Sequence, residues 1–240
     1  MDLNVQIVSI EGNIGSGKST LLANLKKDLD KNSRVIFLKE PVDEWNKIKD
    51  ENGVTILEKF YGDQNKYSFP FQMMAYISRL KLLKDIMLTI KHSQDEFKRK
   101  QPNDTLPKYT IITERSLFTD KMVFAKMLYD SKKIEHVNYQ IYLNWFDTFA
   151  EEFVINKIIY IKADPETCHQ RITIRNRDGE NNIPVEYLKS CSEYHDNMLN
   201  TNLSDCVCKE QLLLDGNQDI YKDTHLLHEW IESIKTFIYN

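Results

Sequence analysis

The sequence predicts an α/β protein built on a parallel sheet of five strands with helices on both faces. Short apolar runs alternate with longer stretches whose apolar residues recur at helical spacing. The first apolar run leads directly into a glycine-rich loop and then an amphipathic helix, as the opening βα unit of such a sheet does.

The elements follow in order. Residues 5–10 are the first strand, and 18–29 the first helix, with Leu21, Leu22 and Leu25 on one face. RVIFLK (34–39) is the second strand, stopped by Pro41. The longest helical pattern runs from 69 to about 100, and its basic end at 98–100 complements the helix dipole. QPNDTLPK breaks it and returns the chain to a third strand at 109–113. Helical patterns follow at 117–129 and about 137–153, then a fourth strand, KIIYIK (157–162). Pro165 opens a helix over 165–175, with Asp164 placed to cap it. A polar stretch at 176–183 precedes a helix opening at Pro184, a fifth strand at 211–214 and a last helix over 219–238.

At 240 residues the chain suits one well-buried domain spanning 1–240. With 7 Gly and 6 Pro it has no room for long linkers. The formal charge of −4 argues against a nucleic-acid polymer as partner, because phosphate backbones are held by surplus Lys and Arg. No apolar run is long enough to span a bilayer, and residues 5–10 run into a glycine-rich loop rather than a cleavage site. The expectation is a cytoplasmic protein with no membrane partner. Cys206 and Cys208 form one C-x-C without a second ligand pair, so the four cysteines read as reduced thiols.

The strongest motif is GNIGSGKS (12–19), which matches G-x-x-x-x-G-K-[ST] between a strand and a helix. Gly12, Gly15 and Gly17 let the backbone wrap phosphates and aim N–H groups inward. Lys18 is expected to reach the β- and γ-phosphates, at a helix N-terminus that itself favours anions, and the Ser19 hydroxyl to ligate Mg²⁺. Asn13, Ser16 and Thr20 complete the expected phosphate site, with Ile14 on the acceptor side.

The loop identifies a nucleotide site rather than a reaction. A GTPase would need N-K-x-D, but Asn46-Lys47-Ile48-Lys49 ends in Lys. A small-molecule kinase needs a base for the acceptor hydroxyl, an acid near Mg²⁺ and positive charge for the moving phosphoryl group. Candidates for each stand in the expected elements. Glu40 follows the second strand, Glu114-Arg115 ends the third, and Arg171, Arg175 and Arg177 lie on and beyond one helix.

Six ordered blocks, from Ile7 to about Ile220, resemble the deoxycytidine/deoxyguanosine kinase group of deoxynucleoside kinases. They are IEGNIGSGKST (10–20), KEPVDEW (39–45), YSFPFQMMAYISR (67–79), ERSLFTDKMVFA (114–125), DPETCHQRITIRNR (164–177) and IPVEYL (183–188). The resemblance implies a three-layer P-loop kinase fold with an Arg-rich lid at about 175–183. It also implies transfer of the γ-phosphate of ATP, or another nucleoside triphosphate, to a deoxynucleoside 5′-hydroxyl, and a homodimer formed through helices near 69–90 and 117–129.

The same resemblance implies roles at matching positions. Glu40 would be the general base, aided by Arg115, and Glu114 would hold Mg²⁺ beside Ser19. Trp45, Phe71 and Phe124 would wall the nucleobase, and Gln72 would hydrogen-bond its edge. Tyr61 and Glu180 would hold the sugar 3′-hydroxyl, with Tyr61 crowding a ribose 2′-hydroxyl. Arg171, Arg175 and Arg177 would close over the triphosphate, with Asp219 and Ile220 near the adenine. Ala75, Arg79 and Asp120 match relatives that take deoxycytidine or deoxypurines, whereas Met73 and Met74 depart from the family pattern. The rival readings are a thymidylate-like monophosphate kinase, which needs extra cations for its acceptor phosphate, and a nucleotide-binding regulator, which needs no base.

Overall fold

The computed structural model describes residues 3–29, 32–150, 152–177, 179–180, 183–220 and 222–240. Among them, β1 (Val5–Glu11), β2 (Val35–Leu38), β3 (Tyr109–Glu114), β4 (Lys157–Lys162) and β5 (Gln211–Asp215) form one sheet in the order β2-β3-β1-β4-β5. All four pairings are parallel. Each predicted strand is present within one residue at either end.

Neighbouring apolar residues on the central strands face opposite sides, which is why those strands carry adjacent apolar residues rather than strict alternation. Ile7, Ile111 and Ile158 pack with Tyr76, Leu80, Tyr142 and Phe146 on one face. Val8, Ile112 and Ile159 pack on the other with Leu21, Leu25, Trp230 and Ile234. The first face is covered by α4 (Gln64–Lys100), α7 (His136–Phe149) and α9 (Val185–Met198). The second is covered by α1 (Lys18–Leu29) and α10 (Thr224–Tyr239). The result is the expected three-layer arrangement. Burial of each such Leu or Ile contributes about 1.5–3 kcal/mol.

A third apolar cluster sits beside the strand ends rather than on the sheet. It joins Trp45 of α2 (Val42–Trp45) and Phe60 of α3 (Ile56–Gly62) to Phe71 and Ala75 of α4. Neither short helix is among the sequence expectations. α3 is started by a capping box in which Thr55 Oγ1 accepts from Glu58 N (3.2 Å) and Glu58 Oε2 accepts from Thr55 N (2.7 Å).

Other boundaries also differ from the expectation. α4 begins at Gln64 and carries Pro70 inside it, giving up the bond to the Lys66 carbonyl because Phe71, Ala75 and Tyr76 are buried just beyond. The stretch predicted as one helix over 117–129 is α5 (Leu117–Thr119), a π-helical turn (Asp120–Ala125) and α6 (Lys126–Asp130) in succession. α7 ends at Phe149, short of 153, and α10 starts at Thr224, after 219. Asp164 precedes α8 (Pro165–Arg175) as its N-cap, but its side chain makes no capping bond. Residues 178, 181 and 182 of the expected lid lie outside the described residues. No helix among the described residues is long and apolar enough to cross a membrane.

Candidate active site

Parallel pairing puts every strand's C-terminal end on one edge, and the site forms there. Ile10 pairs with Glu114, and Leu38 with Thr113. The phosphate-type loop after β1 therefore faces Glu114-Arg115 at the end of β3, with Glu40 beside them just past β2. A cavity of about 470 Å³ opens at this edge. One end of it is lined by Ile14 through Thr20, and the other by Trp45, Tyr61, Phe71, Gln72, Ala75 and Phe124. Glu40, Glu114, Arg115 and Asp120 line it as well, Glu114 bonded to Ser19 of the loop and Arg115 placed against Phe124 and Glu40.

Within the loop, Lys18 Nζ donates to the Asn13 carbonyl at 2.5 Å and to Ser16 Oγ at 3.5 Å. Burial, followed by the Arg115 charge, lowers its pKa to about 7, so anionic oxygens are what this amine lacks. Gly12 and Asn13, expected at the phosphates, do not line the cavity themselves, and their carbonyls accept from Arg115 and Lys18. A Cβ on Gly12 (φ +142°) would lie 2.4 Å from the Ile161 carbonyl, so this glycine serves packing against β4. The Asn13 amide donates to the Leu188 carbonyl and Ser192 Oγ, both at 2.8 Å, tying the loop to α9. Gly17 does face open space.

The centre of the site is an ion-pair network. Glu40 Oε1 accepts from Arg79 Nη2 at 3.1 Å and lies 3.2 Å from Arg115 Nε. Burial pushes the Glu40 carboxyl up, but Arg115, Arg79 and Lys18 together outweigh it and hold the pKa below the usual carboxylate value. Arg79 also donates to Asp120 Oδ2 at 3.0 Å and to the Glu114 carbonyl at 2.7 Å. It does not line the cavity, whereas Asp120 does. The expected Arg79–Asp120 pair exists, but Arg79 works from behind the wall and braces Glu40 as well. Burial pushes Asp120 up to about 6 against the pull of Arg79.

Arg115 sits at φ 65°, in the left-handed region that a non-glycine residue occupies only when its surroundings over-determine it. Its Nη1 donates to the Gly12 carbonyl at 2.8 Å, and its guanidinium lies 4.9 Å from the centre of the Phe124 ring. Ser19 Oγ donates to Glu114 Oε1 at 2.5 Å. Glu114 Oε2 is buried with no hydrogen-bond partner among the described residues. A buried carboxylate oxygen without a donor, next to a hydroxyl and the phosphate loop, fits a hard divalent cation.

At the apolar end, Trp45 and Phe60 pack on Phe71 at 5.5 and 4.5 Å between ring centroids. Gln72 Oε1 is buried and unpartnered among the described residues, an omission costing about 1–3 kcal/mol unless a ligand supplies a donor. Tyr61 meets Tyr187 edge-on, and Tyr187, Val42, Leu57 and Phe60 complete this wall without having been expected there.

Over the loop, Arg175 and Arg177 both pair with the buried Glu180, Arg177 at 3.0 Å. Gly179 rests against Glu58, where a Cβ would lie 3.2 Å from the backbone. Arg171 Nη1 donates to the Gly216 carbonyl at 2.6 Å and Nη2 to that of Gln218 at 3.1 Å, linking α8 to the turn after β5. Asp219 and Ile220 line the cavity on that side, together with Ile174, Gln218 and Trp230, which sequence reading missed. It also missed Glu11, whose buried carboxylate accepts from Ser9 (2.6 Å) and Thr119 (2.5 Å) and so ties β1 to α5.

A deoxynucleoside kinase family model matches residues 8–239. Human deoxycytidine kinase is 30% identical, over 98% of this chain and 91% of its own length. A probable deoxycytidine kinase of fowlpox virus is also 30% identical, over 96% and 87%. A mitochondrial deoxyguanosine kinase of Xenopus laevis is 26% identical, over 99% and 91%. With this family match over nearly the whole chain, and the glycine-rich loop, the Glu40–Arg115 pair and the apolar pocket joined on one sheet edge, the chain belongs to the deoxynucleoside kinase family.

Proposed function

We propose that the protein transfers the γ-phosphate of ATP to the 5′-hydroxyl of deoxycytidine or a deoxypurine nucleoside. The observation that carries this is that Glu40 lines one cavity with both the phosphate loop and the apolar residues, and is ionised by Arg79 and Arg115. There it is the base that accepts the 5′-hydroxyl proton, while Arg115 and Lys18 face the charge that develops on the phosphoryl oxygens. A monophosphate acceptor fits this end poorly, because it would bring its own phosphate against the Glu40 carboxylate.

Ser19 and Glu114 would hold Mg²⁺, which supplies charge neutralisation for the triphosphate. The unpartnered Gln72 oxygen calls for an N–H donor, and Asp120, lining the same cavity, is a second acceptor. Cytosine, adenine and guanine carry an exocyclic amine and thymine does not, so this edge favours the first three. Tyr61 and Glu180 would hold the 3′-hydroxyl, with the Arg175–Arg177–Glu180 lid closing above. The adenine of the donor would lie against Ile220 and Asp219.

Two further readings go with this one. Ile77 and Leu88 on α4, and Val137, Ile141 and Trp145 on α7, are exposed apolar side chains on neighbouring helices. We assign this face to a homodimer, which light scattering tests; a monomer at micromolar concentration contradicts it. The four cysteines are free thiols, as a reducing cytoplasm keeps them. Incubation with Mg²⁺–ATP and each of the four deoxynucleosides tests the activity. Monophosphate product is expected from deoxycytidine or a deoxypurine, and no product from any nucleoside would overturn the reading.

A further inference from the structure

His195 is fully buried on α9, directly behind Arg115, and the mechanism above makes no use of it. Its Nδ1 lies 2.7 Å from the Cys191 carbonyl, an acceptor only, so Nδ1 carries the proton. Nε2 is then an acceptor, and it lies 3.4 Å from Arg115 Nη1. Burial, then the Arg115 charge, pushes the imidazole well below its ordinary pKa, which keeps the ring neutral and the acceptor available. The ring is fixed on both sides, parallel to Tyr160 at 6.4 Å and edge-on to Phe124 at 6.2 Å.

The donors of Arg115 can now be assigned one by one. Nε lies 3.2 Å from Glu40 Oε1 in an ion pair, and the two Nη1 protons face the Gly12 carbonyl and His195 Nε2. No described residue accepts a hydrogen bond from Nη2, and Arg115 lines the cavity. With Nη1 held by two acceptors and Nε paired with Glu40, Nη2 is the nitrogen of this planar group left for a ligand.

We propose that His195 is a positioning residue: it locks the guanidinium plane of Arg115 so that Nη2 meets the transferring phosphoryl group. The proposal rests on the assignment of Arg115 to that group. Without the acceptor at Nε2, the Nη1 side keeps only the Gly12 carbonyl, and the strained Arg115 can swing toward Glu40.

The test is a double-mutant cycle in kcat, with His195→Leu and His195→Gln made alone and in an Arg115→Ala background. His195→Leu is expected to lower kcat about 10- to 100-fold, the cost of misplacing a group by ~1 Å, with KM for both substrates little changed. His195→Gln, whose amide oxygen still accepts from Nη1, recovers most of the loss. In the Arg115→Ala background His195→Leu costs nothing further. Full kcat in His195→Leu, an equal loss in both backgrounds, or His195→Gln no better than Leu at wild-type Tm overturns the proposal. Full kcat in Arg115→Ala alone removes the Arg115 assignment and this inference with it.

Discussion

Replacing Glu40 by Gln separates proton acceptance from everything else this side chain does. The amide oxygen remains an acceptor for Arg79, and neither arginine is stranded. Arg79 keeps Asp120 and the Glu114 carbonyl, and Arg115 keeps the Gly12 carbonyl and His195. What is lost structurally is the charge on one acceptor, about 1–2 kcal/mol of stability. What is lost chemically is the base, expected to lower kcat by about 10²–10⁴-fold. Release of ADP at saturating deoxycytidine and ATP gives kcat, calorimetry gives the ATP Kd, and a thermal melt gives stability. The account requires kcat to collapse while Kd moves by no more than about threefold, because Glu40 touches the acceptor side. The pH profile has a definite sign. Burial raises the Glu40 pKa, and Arg115, Arg79 and Lys18 more than reverse it, so the base form persists below the ordinary carboxylate pKa. The acid limb of the wild-type kcat/KM should thus fall below pH 4.5. A limb near pH 6 would instead point to Asp120, which burial pushes up to about 6. Undiminished kcat in Glu40→Gln would refute Glu40 as the base.

Other substitutions test the neighbouring assignments. Arg79→Met strands the buried Asp120 and should cost about 3–5 kcal/mol, with part of that recovered by adding Asp120→Ala. Equal melting temperatures for the single and double variants would contradict the pairing. The double variant should also raise the thymidine-to-deoxycytidine ratio of kcat/KM about tenfold or more, since the acceptor opposite the thymine O4 is gone. An unchanged ratio would clear both residues of base selection. Glu180→Gln removes the carboxylate shared by Arg175 and Arg177 and should raise the deoxynucleoside KM about tenfold, the value of one hydrogen bond to a charged group. A shift in Tm with KM unmoved would make Glu180 a lid brace and nothing more.

The sheet was legible because its central strands, β1, β3 and β4, are buried on both faces. VQIVSI, TIITE and KIIYIK are short segments with adjacent apolar residues (Ile7-Val8, Ile111-Ile112, Ile158-Ile159), and the loop motif orients the first of them. Glu40, Glu114 and Arg115 were legible as strand-end residues, since parallel pairing sends all strand ends to one edge. The short helices α2 and α3 were not, being too brief for periodicity, although Thr55-x-x-Glu58 is a readable start signal. Pro70 hid the first turn of α4, where propensity argues for a break and burial of Phe71 and Ala75 prevails. The contacts of Gly12 with Ile161 and of Asn13 with Leu188 were not legible in the motif, because those partners lie far along the chain. His195 gave no signal at all. It stands alone on a helix 80 residues beyond Arg115, and only the tertiary fold brings the two together.

The most direct test of the central claim puts two acceptors in one tube: deoxycytidine and deoxycytidine monophosphate at equal concentration, with γ-labelled ATP and Mg²⁺. An ionised Glu40, held by Arg79 and Arg115 at the acceptor end, predicts label on the 5′-monophosphate from the first minutes of reaction and none in the diphosphate. Label entering the diphosphate first would contradict the account.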